Sequence, residues 1–394
     1  MPGDRSDFEK LIGPDRRRLP KPTGLAWAII VIAALILIGL VALWPRSGPE
    51  IDVDPFGFAD NVVRAETEIA TVGPCPYDPE FECLLYQLTV LDEPAGEIVF
   101  LDFPNEVGQP VFEEGDVLFL SVTEFEDGTV GYQYADRDRR MVLLVLTVVF
   151  AATVVALGRM RGVAALAGLV ISVAILVLFI LPAIVAGSDA MLVALVGGGA
   201  IALVSLYLAH GYNPLTHVAA LGAFSALLLT TVLSWLVVEA ASFSGLTSEE
   251  SFLLLAVPDL DLSGLILAGI VLGAIGALDD VTVTQASAVW EVHTANPALD
   301  SPALFESGIR VGRDHIVSTV NTLLLAYAGA SLPLLLFFTI SAQSFGLIAS
   351  SEVVAVEIVR TLVGSIGLVA AVPITTWLGS RVVTSETPVR VSPQ

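Results

Sequence analysis

Basic residues are scarce in this chain of 394 residues: 18 Lys and Arg stand against 41 Asp and Glu, a net charge of −23, and Lys10 and Lys21 are the only lysines. Such a deficit excludes the basic stripe on which nucleic-acid binding rests, and nucleic acid is not an expected partner. Cysteine is scarcer still, with Cys75 and Cys83 the only two. A glycine-rich phosphate loop, an H-E-x-x-H pair and a serine elbow are all missing. ATP coupling within the chain is therefore not expected, and the chain does not read as an enzyme.

What is abundant is hydrocarbon. Hydrophobic residues make up 55% of the chain and charged ones 15%, with a mean hydropathy of +0.80. A membrane span takes about 20 apolar residues, and eight segments qualify: 25–44, 141–157, 163–186, 191–209, 218–238, 264–289, 316–340 and 361–378. The expected fold class is an all-α polytopic membrane protein of about eight transmembrane helices with a small β-rich domain. Residues 1–24 read as a cytoplasmic tail, 25–44 as the first transmembrane helix and 45–140 as the extracytoplasmic β domain. Residues 141–382 read as a seven-helix transmembrane domain and 383–394 as a second cytoplasmic tail.

The first apolar run follows Arg16-Arg17-Arg18, as a signal peptide would. It is longer than a typical signal core, and Trp44-Pro45-Arg46 is no small-residue cleavage site, so it reads as a retained anchor. Placing that arginine cluster inside puts Arg159, Arg161, Arg310, Arg313, Arg381 and Arg390 inside as well, with both termini cytoplasmic and the protein in the plasma membrane. Arg137, Arg139 and Arg140 dissent, but they end a long exported loop, where the charge rule weakens.

More than half of the acidic residues lie between Glu50 and Asp138. Within this stretch five apolar or alternating runs, at 62–72, 84–91, 97–101, 117–123 and 129–135, are separated by turn signals such as Glu114-Gly115-Asp116. They predict five strands and a small barrel of the OB type. An isolated cysteine pair outside the cytoplasm reads as a disulfide between Cys75 and Cys83. Two thiolates without His companions do not complete a zinc site, and no metal is expected.

Chemistry points to Asp279 and Asp280, adjacent carboxylates inside the sixth apolar segment. A charged Asp at mid-bilayer costs roughly 2.5–3.5 kcal/mol, which makes the pair a functional candidate. The pair lies about 12–15 Å from the cytoplasmic end of its helix at the α-helical rise, and Ser318, Thr319, Asn321, Thr322, Thr375 and Thr376 reach similar depth. Asp280, Thr284, Ser287 and Glu291 recur at helical spacing on one stripe. The expected ion or proton site is Asp279, Asp280, Ser318, Thr319, Asn321 and Thr322, supported by Thr284, Ser287, Glu291, Thr375 and Thr376. The alternative is a hydrogen-bonded structural anchor. Gly264, Gly269, Gly273 and Gly276 read as helix-packing positions. Glu352, Glu357 and Arg360 read as a solvated cluster near the outer mouth.

The run Ala277-Leu-Asp279-Asp280-Val-Thr-Val-Thr-Gln-Ala-Ser-Ala-Val-Trp-Glu291, with Gly308-Ile-Arg-Val-Gly312-Arg313-Asp314-His315 through Asn321 to Pro333, resembles the YibE/F family of multi-pass membrane proteins. Tyr132–Arg140 and Val372-Pro373-Ile-Thr375-Thr376 extend the likeness. More distantly, the order of an Asp pair, Gly312-Arg313, Ser318-Thr319 and Thr322 is similar to the core of resistance-nodulation-division transporters and the Sec-associated export motor. That resemblance implies coupling of proton or cation movement to work by the exported domain. The chain departs from it in having no Lys inside a span, a small exported domain and two extra helices.

The function expected is thus an ion-coupled membrane transporter or export motor, needing no cofactor beyond a proton or monovalent cation. Its partners would be the lipid bilayer, a second copy of the chain and an extracytoplasmic protein. One alternative is a non-transporting scaffold or regulatory protein whose acidic ectodomain binds a partner. The other is an intramembrane aspartyl-type hydrolase.

Overall fold

The computed structural model describes residues 24–46, 62–93, 95–125, 127–340 and 344–386. Arg16–Arg18 and Arg390 lie outside the described residues, as do most of both tails. The chain divides into two compact units, residues 50–157 and residues 1–49 with 158–394. Helix α1 (Gly24–Ala42) precedes the first of these.

The smaller unit carries strands β1 (Val62–Pro74), β2 (Glu82–Val90), β3 (Ile98–Pro104), β4 (Val117–Glu124) and β5 (Val130–Arg137). All five lie where the alternation of apolar residues predicts them. They form one antiparallel sheet in the order β3-β2-β1-β4-β5. Edge strands β3 and β5 make no ladder among the described residues, so the sheet is a curled half-barrel and not the closed barrel expected. The open concave side is filled by aromatic rings: Tyr86 and Phe112 approach to 4.9 Å and Phe112 and Tyr134 to 5.0 Å between centroids. The Tyr86 hydroxyl also accepts the Phe112 backbone N–H at 3.1 Å. Cys75 and Cys83 form a disulfide, tying the end of β1 to the start of β2.

The dissenting arginines are not free charges. Arg137 pairs with Asp116, Arg139 with Asp136 at 2.7 Å and Arg140 with Asp138 at 2.5 Å.

The larger unit is helical. Helix α2 (Arg140–Ile175) begins in the smaller unit, which ends at Leu157, and continues through a π-helical turn, Leu176–Ile180, into α3 (Leu181–Val185). One residue interrupts α2: Arg159 has φ 51° and ψ −131°. The break falls in the gap between the second and third predicted spans. Then follow α4 (Ala190–His210), α5 (Pro214–Ala241), the short α6 (Glu249–Leu253), α7 (Leu262–Ala295), α8 (Ser301–Ala330), α9 (Leu332–Ile340), α10 (Phe345–Ser350) and α11 (Glu352–Glu386). The side chains of Glu249 and Glu250 lie outside the described residues.

Six described helices are long and apolar enough to cross a membrane, seven if the bent pair α8 and α9 is one span. That pair corrects the seventh predicted span, which is not straight but turns by 66° after Ala330. Pro333 lacks an N–H and its ring crowds the carbonyl four residues earlier, which accounts for the break. The helix that carries the seventh predicted span starts well ahead of it. Asp300 accepts the Ala303 N–H at 3.0 Å and starts α8 at Ser301, so only a short turn separates α7 from α8.

Helices α4, α5, α7 and α11 supply the core, in which Val193, Ala226, Val271, Leu278, Val281 and Leu368 are buried. Large apolar side chains such as Leu35, Leu228 and Leu362 cover the outside. A core of small and medium residues inside an apolar exterior is the inverted pattern of a multi-pass membrane protein.

Candidate functional site

The two adjacent carboxylates look in different directions, because successive residues of an α-helix are turned by about 100°. Asp279 faces inward. Its Oδ2 accepts a hydrogen bond from the Ser205 hydroxyl of α4. Its Oδ1 is buried and has no hydrogen-bond partner among the described residues. His210, the last residue of α4, lies within electrostatic reach of this carboxylate.

Asp280 faces out of the bundle and makes no hydrogen bond or ion pair among the described residues. The stripe expected from spacing exists on α7, with Asp280, Thr284 and Glu291 exposed and Ser287 half-buried, but it points outward. On α8, Ser318, Asn321 and Thr322 are exposed and Thr319 is half-buried. Thr319 and Thr322 donate to the carbonyls of His315 and Ser318, one turn back on their own helix, each at 3.0 Å.

Close contacts fix the register of α7 and α8. Gly308 lies against Val289 and Gln285, Gly312 against Gln285, and the Tyr327 hydroxyl against Gly273. This antiparallel pairing puts Ser318 level with Asp280. Asp280, Ser318, Asn321 and Thr322 are thus exposed at similar depth on α7 and α8, and Asp279 is turned inward, away from them.

Thr375 and Thr376 are fully buried on α11. Thr376 Oγ1 accepts from Gln285 Nε2 at 2.6 Å and donates to the Val372 carbonyl at 2.6 Å. Thr375 Oγ1 packs against Gly222 of α5 and has no hydrogen-bond partner among the described residues. Gln285 also donates to the Gly308 carbonyl at 2.8 Å, so one amide joins α7, α8 and α11.

Ser205 and Gln285 escaped the reading of the sequence. Gln285 could have been found, since it shares a helical stripe with Leu278, Thr282 and Val289 and is the most polar member of that buried face. A single serine in an apolar run gave no comparable signal for Ser205.

Of the four α7 glycines read as packing positions, Gly264 approaches Ala190 of α4 as that reading expects. Gly269 leaves room for the Arg360 guanidinium and Gly273 for the Tyr327 hydroxyl, while Gly276 has nothing within 4 Å of where a Cβ would be. Arg360 pairs with Glu357 at 3.1 Å, the two side chains being 28% and 27% exposed. Glu352 is held elsewhere, accepting the backbone N–H groups of Ser244 and Gly245 at 2.7 Å. Among the described residues no group of three or more His, Cys, Asp and Glu could hold a metal ion.

No curated protein and no solved structure matches the chain. Residues 146–385, every helix from within α2 to the end of α11 and more than half of the sequence, match the family described as YibE/F-like protein. The chain belongs to the YibE/F-like protein family.

Proposed function

We propose that this protein is an ion-coupled membrane transporter or export motor in which Asp279 carries the proton or monovalent cation. One observation carries the reading: the half-buried carboxylate of Asp279, on the inward side of an apolar helix, has one oxygen held by Ser205 and the other buried without a partner among the described residues. An ionisable group so placed marks an ion or proton path by default, and a proton or cation on Oδ1 would satisfy it. The sequence likeness to the resistance-nodulation-division core supports the same assignment. Asp279, and not Asp280, is the coupling group.

The membrane arrangement that suits this function has eight spans. The apolar run Arg140–Val185 has 46 residues, about 69 Å at the α-helical rise and more than twice a bilayer core. Its break at Arg159 divides it into two spans, and α8 with α9 makes one. Both termini are then cytoplasmic and residues 45–140 extracytoplasmic. The outward face with Asp280 and Asn321 is too polar for lipid, and a second copy of the chain covers it.

The test uses the full chain in proteoliposomes with dicyclohexylcarbodiimide, which attacks protonated carboxyls in apolar surroundings. Asp279 is expected to be modified, and Asp279→Asn is expected to abolish both the modification and proton uptake driven by a potassium diffusion potential, with unchanged melting. Proton uptake at the wild-type rate in Asp279→Asn would overturn the reading.

A further inference from the structure

A second polar cluster lies well away from Asp279. Between α8 and α11 the side chains of Leu324, Tyr327, Leu335, Val354, Glu357 and Ile358 line a cleft. The cleft is open-mouthed and holds about 180 Å³, comparable with the ~150 Å³ apolar cavity that takes up benzene. Its walls are almost wholly apolar, and Glu357 and Tyr327 are the only ionisable groups that line them.

The placement of Arg360 gives the cleft its sign. Arg360 does not line it: the guanidinium packs over Gly269 of α7 and holds Glu357 at 3.1 Å. The ion pair is therefore a dipole with its carboxylate end in the cleft wall and its cationic end behind. Tyr327 lies within electrostatic reach of both charges, and its hydroxyl is seated over Gly273. An apolar cavity that needed to hold only hydrocarbon would gain nothing from a partly desolvated ion pair, which costs free energy to bury. An anion would meet the carboxylate end. A cation finds a counter-charge and an aromatic side chain together, a combination that recognises poorly hydrated cations.

We propose that the cleft between α8 and α11 is a binding site for a lipophilic cation, an apolar body bearing a delocalised or amine positive charge. Glu357 is its counter-charge, Tyr327 its aromatic wall, and Leu324, Leu335, Val354 and Ile358 take up its apolar part. Binding at this site stands independently of the coupling role of Asp279.

Tetraphenylphosphonium and tetraphenylborate have nearly the same shape and opposite charge. Equilibrium dialysis of both against the full chain in nanodiscs, with empty nanodiscs subtracted, separates charge recognition from partition into lipid. Saturable binding of the phosphonium and not of the borate is expected. Glu357→Gln should weaken it about tenfold or more, as loss of a counter-charge in a desolvated site does, and Leu324→Trp should block it sterically. Because Glu357→Gln leaves Arg360 unpaired and could unfold the bundle, the double variant Glu357→Gln/Arg360→Gln, which removes both charges, is measured beside it, with melting recorded for each. Phosphonium binding that survives in the folded double variant, borate binding of equal strength, or no binding above empty nanodiscs would each overturn the site.

Discussion

Gln285 of α7 donates from a single amide nitrogen to Thr376 Oγ1 of α11 at 2.6 Å and to the Gly308 carbonyl of α8 at 2.8 Å. The amide is 2% exposed, so neither acceptor has water to fall back on. Gln285→Leu keeps approximate volume but removes two hydrogen bonds to buried acceptors, each worth about 0.5–1.5 kcal/mol. Neither acceptor is left alone: the Gly308 carbonyl keeps its bond within α8, and the Thr376 hydroxyl keeps the Val372 carbonyl. Thermal melting in detergent should fall for Gln285→Leu and change little for Thr284→Leu, on the exposed stripe of the same helix. Equal melting of the two variants would show that the node contributes nothing.

Asp280, Ser318, Asn321 and Thr322 are exposed at similar depth on α7 and α8, and a second copy of the chain covers that face in the arrangement proposed above. Cys75 and Cys83 are joined in a disulfide, so Asn321→Cys would introduce the only free thiol. Oxidation in native membranes is expected to give a covalent dimer from Asn321→Cys and none from Leu208→Cys, which is exposed on α4. A monomer from both variants would remove the second copy from that face.

Cys75 and Cys83 are eight residues apart and their side chains are buried, at 2% and 0% exposure. Closing so short a loop reduces the freedom of the unfolded chain by about 2.5 kcal/mol in the chain-entropy account. Replacing both by serine also sets two hydroxyls in a space built for sulfur. The double variant should lower the denaturant midpoint of the β domain, read from its aromatic signals in the full chain, and leave helical content unchanged. An unshifted midpoint would show that the link is incidental.

Much of the fold was legible in the sequence because the two kinds of element carry different periods. Strands alternate with period two, and the five runs from Val62 to Ala135 could be read one by one. The helices were legible as apolar runs, but their ends were not. Polar residues at Asp300, Ser301 and Asp314 hide the continuity of α8, and the bend at Pro333 comes in the middle of a run whose hydropathy does not change. The site was legible only in part for a related reason. Spacing places Asp280, Thr284, Ser287 and Glu291 on one stripe, yet in a membrane helix periodicity does not say whether a polar stripe faces inward or outward. Only the packing of α4 against α7 shows that Asp279 meets Ser205, and only the register of α7 and α8 brings Gln285 to Gly308.

Two hydrogen bonds of the β domain contribute pH dependence from opposite sides. Arg140 holds the Asp138 carboxyl down at about 2, chiefly through their side-chain hydrogen bond, from an ordinary value of 3.8. A depressed acid contributes stability above its ordinary value and loses it as pH falls through the folded value, so this contribution fades between about pH 4 and pH 2. Tyr132 is the reverse case. Its hydroxyl donates to Glu97 at 2.6 Å, and that bond pushes the phenol up from 10.0 to about 12. A raised group contributes below its ordinary value and loses that contribution as pH rises through the folded one, here from about pH 10 to pH 12. Ultraviolet titration of the full chain should show one tyrosine ionising near pH 12 that disappears in Tyr132→Phe and moves back toward 10 in Glu97→Gln. If Glu97→Gln left that late ionisation in place, the hydrogen bond to Glu97 would not be its cause.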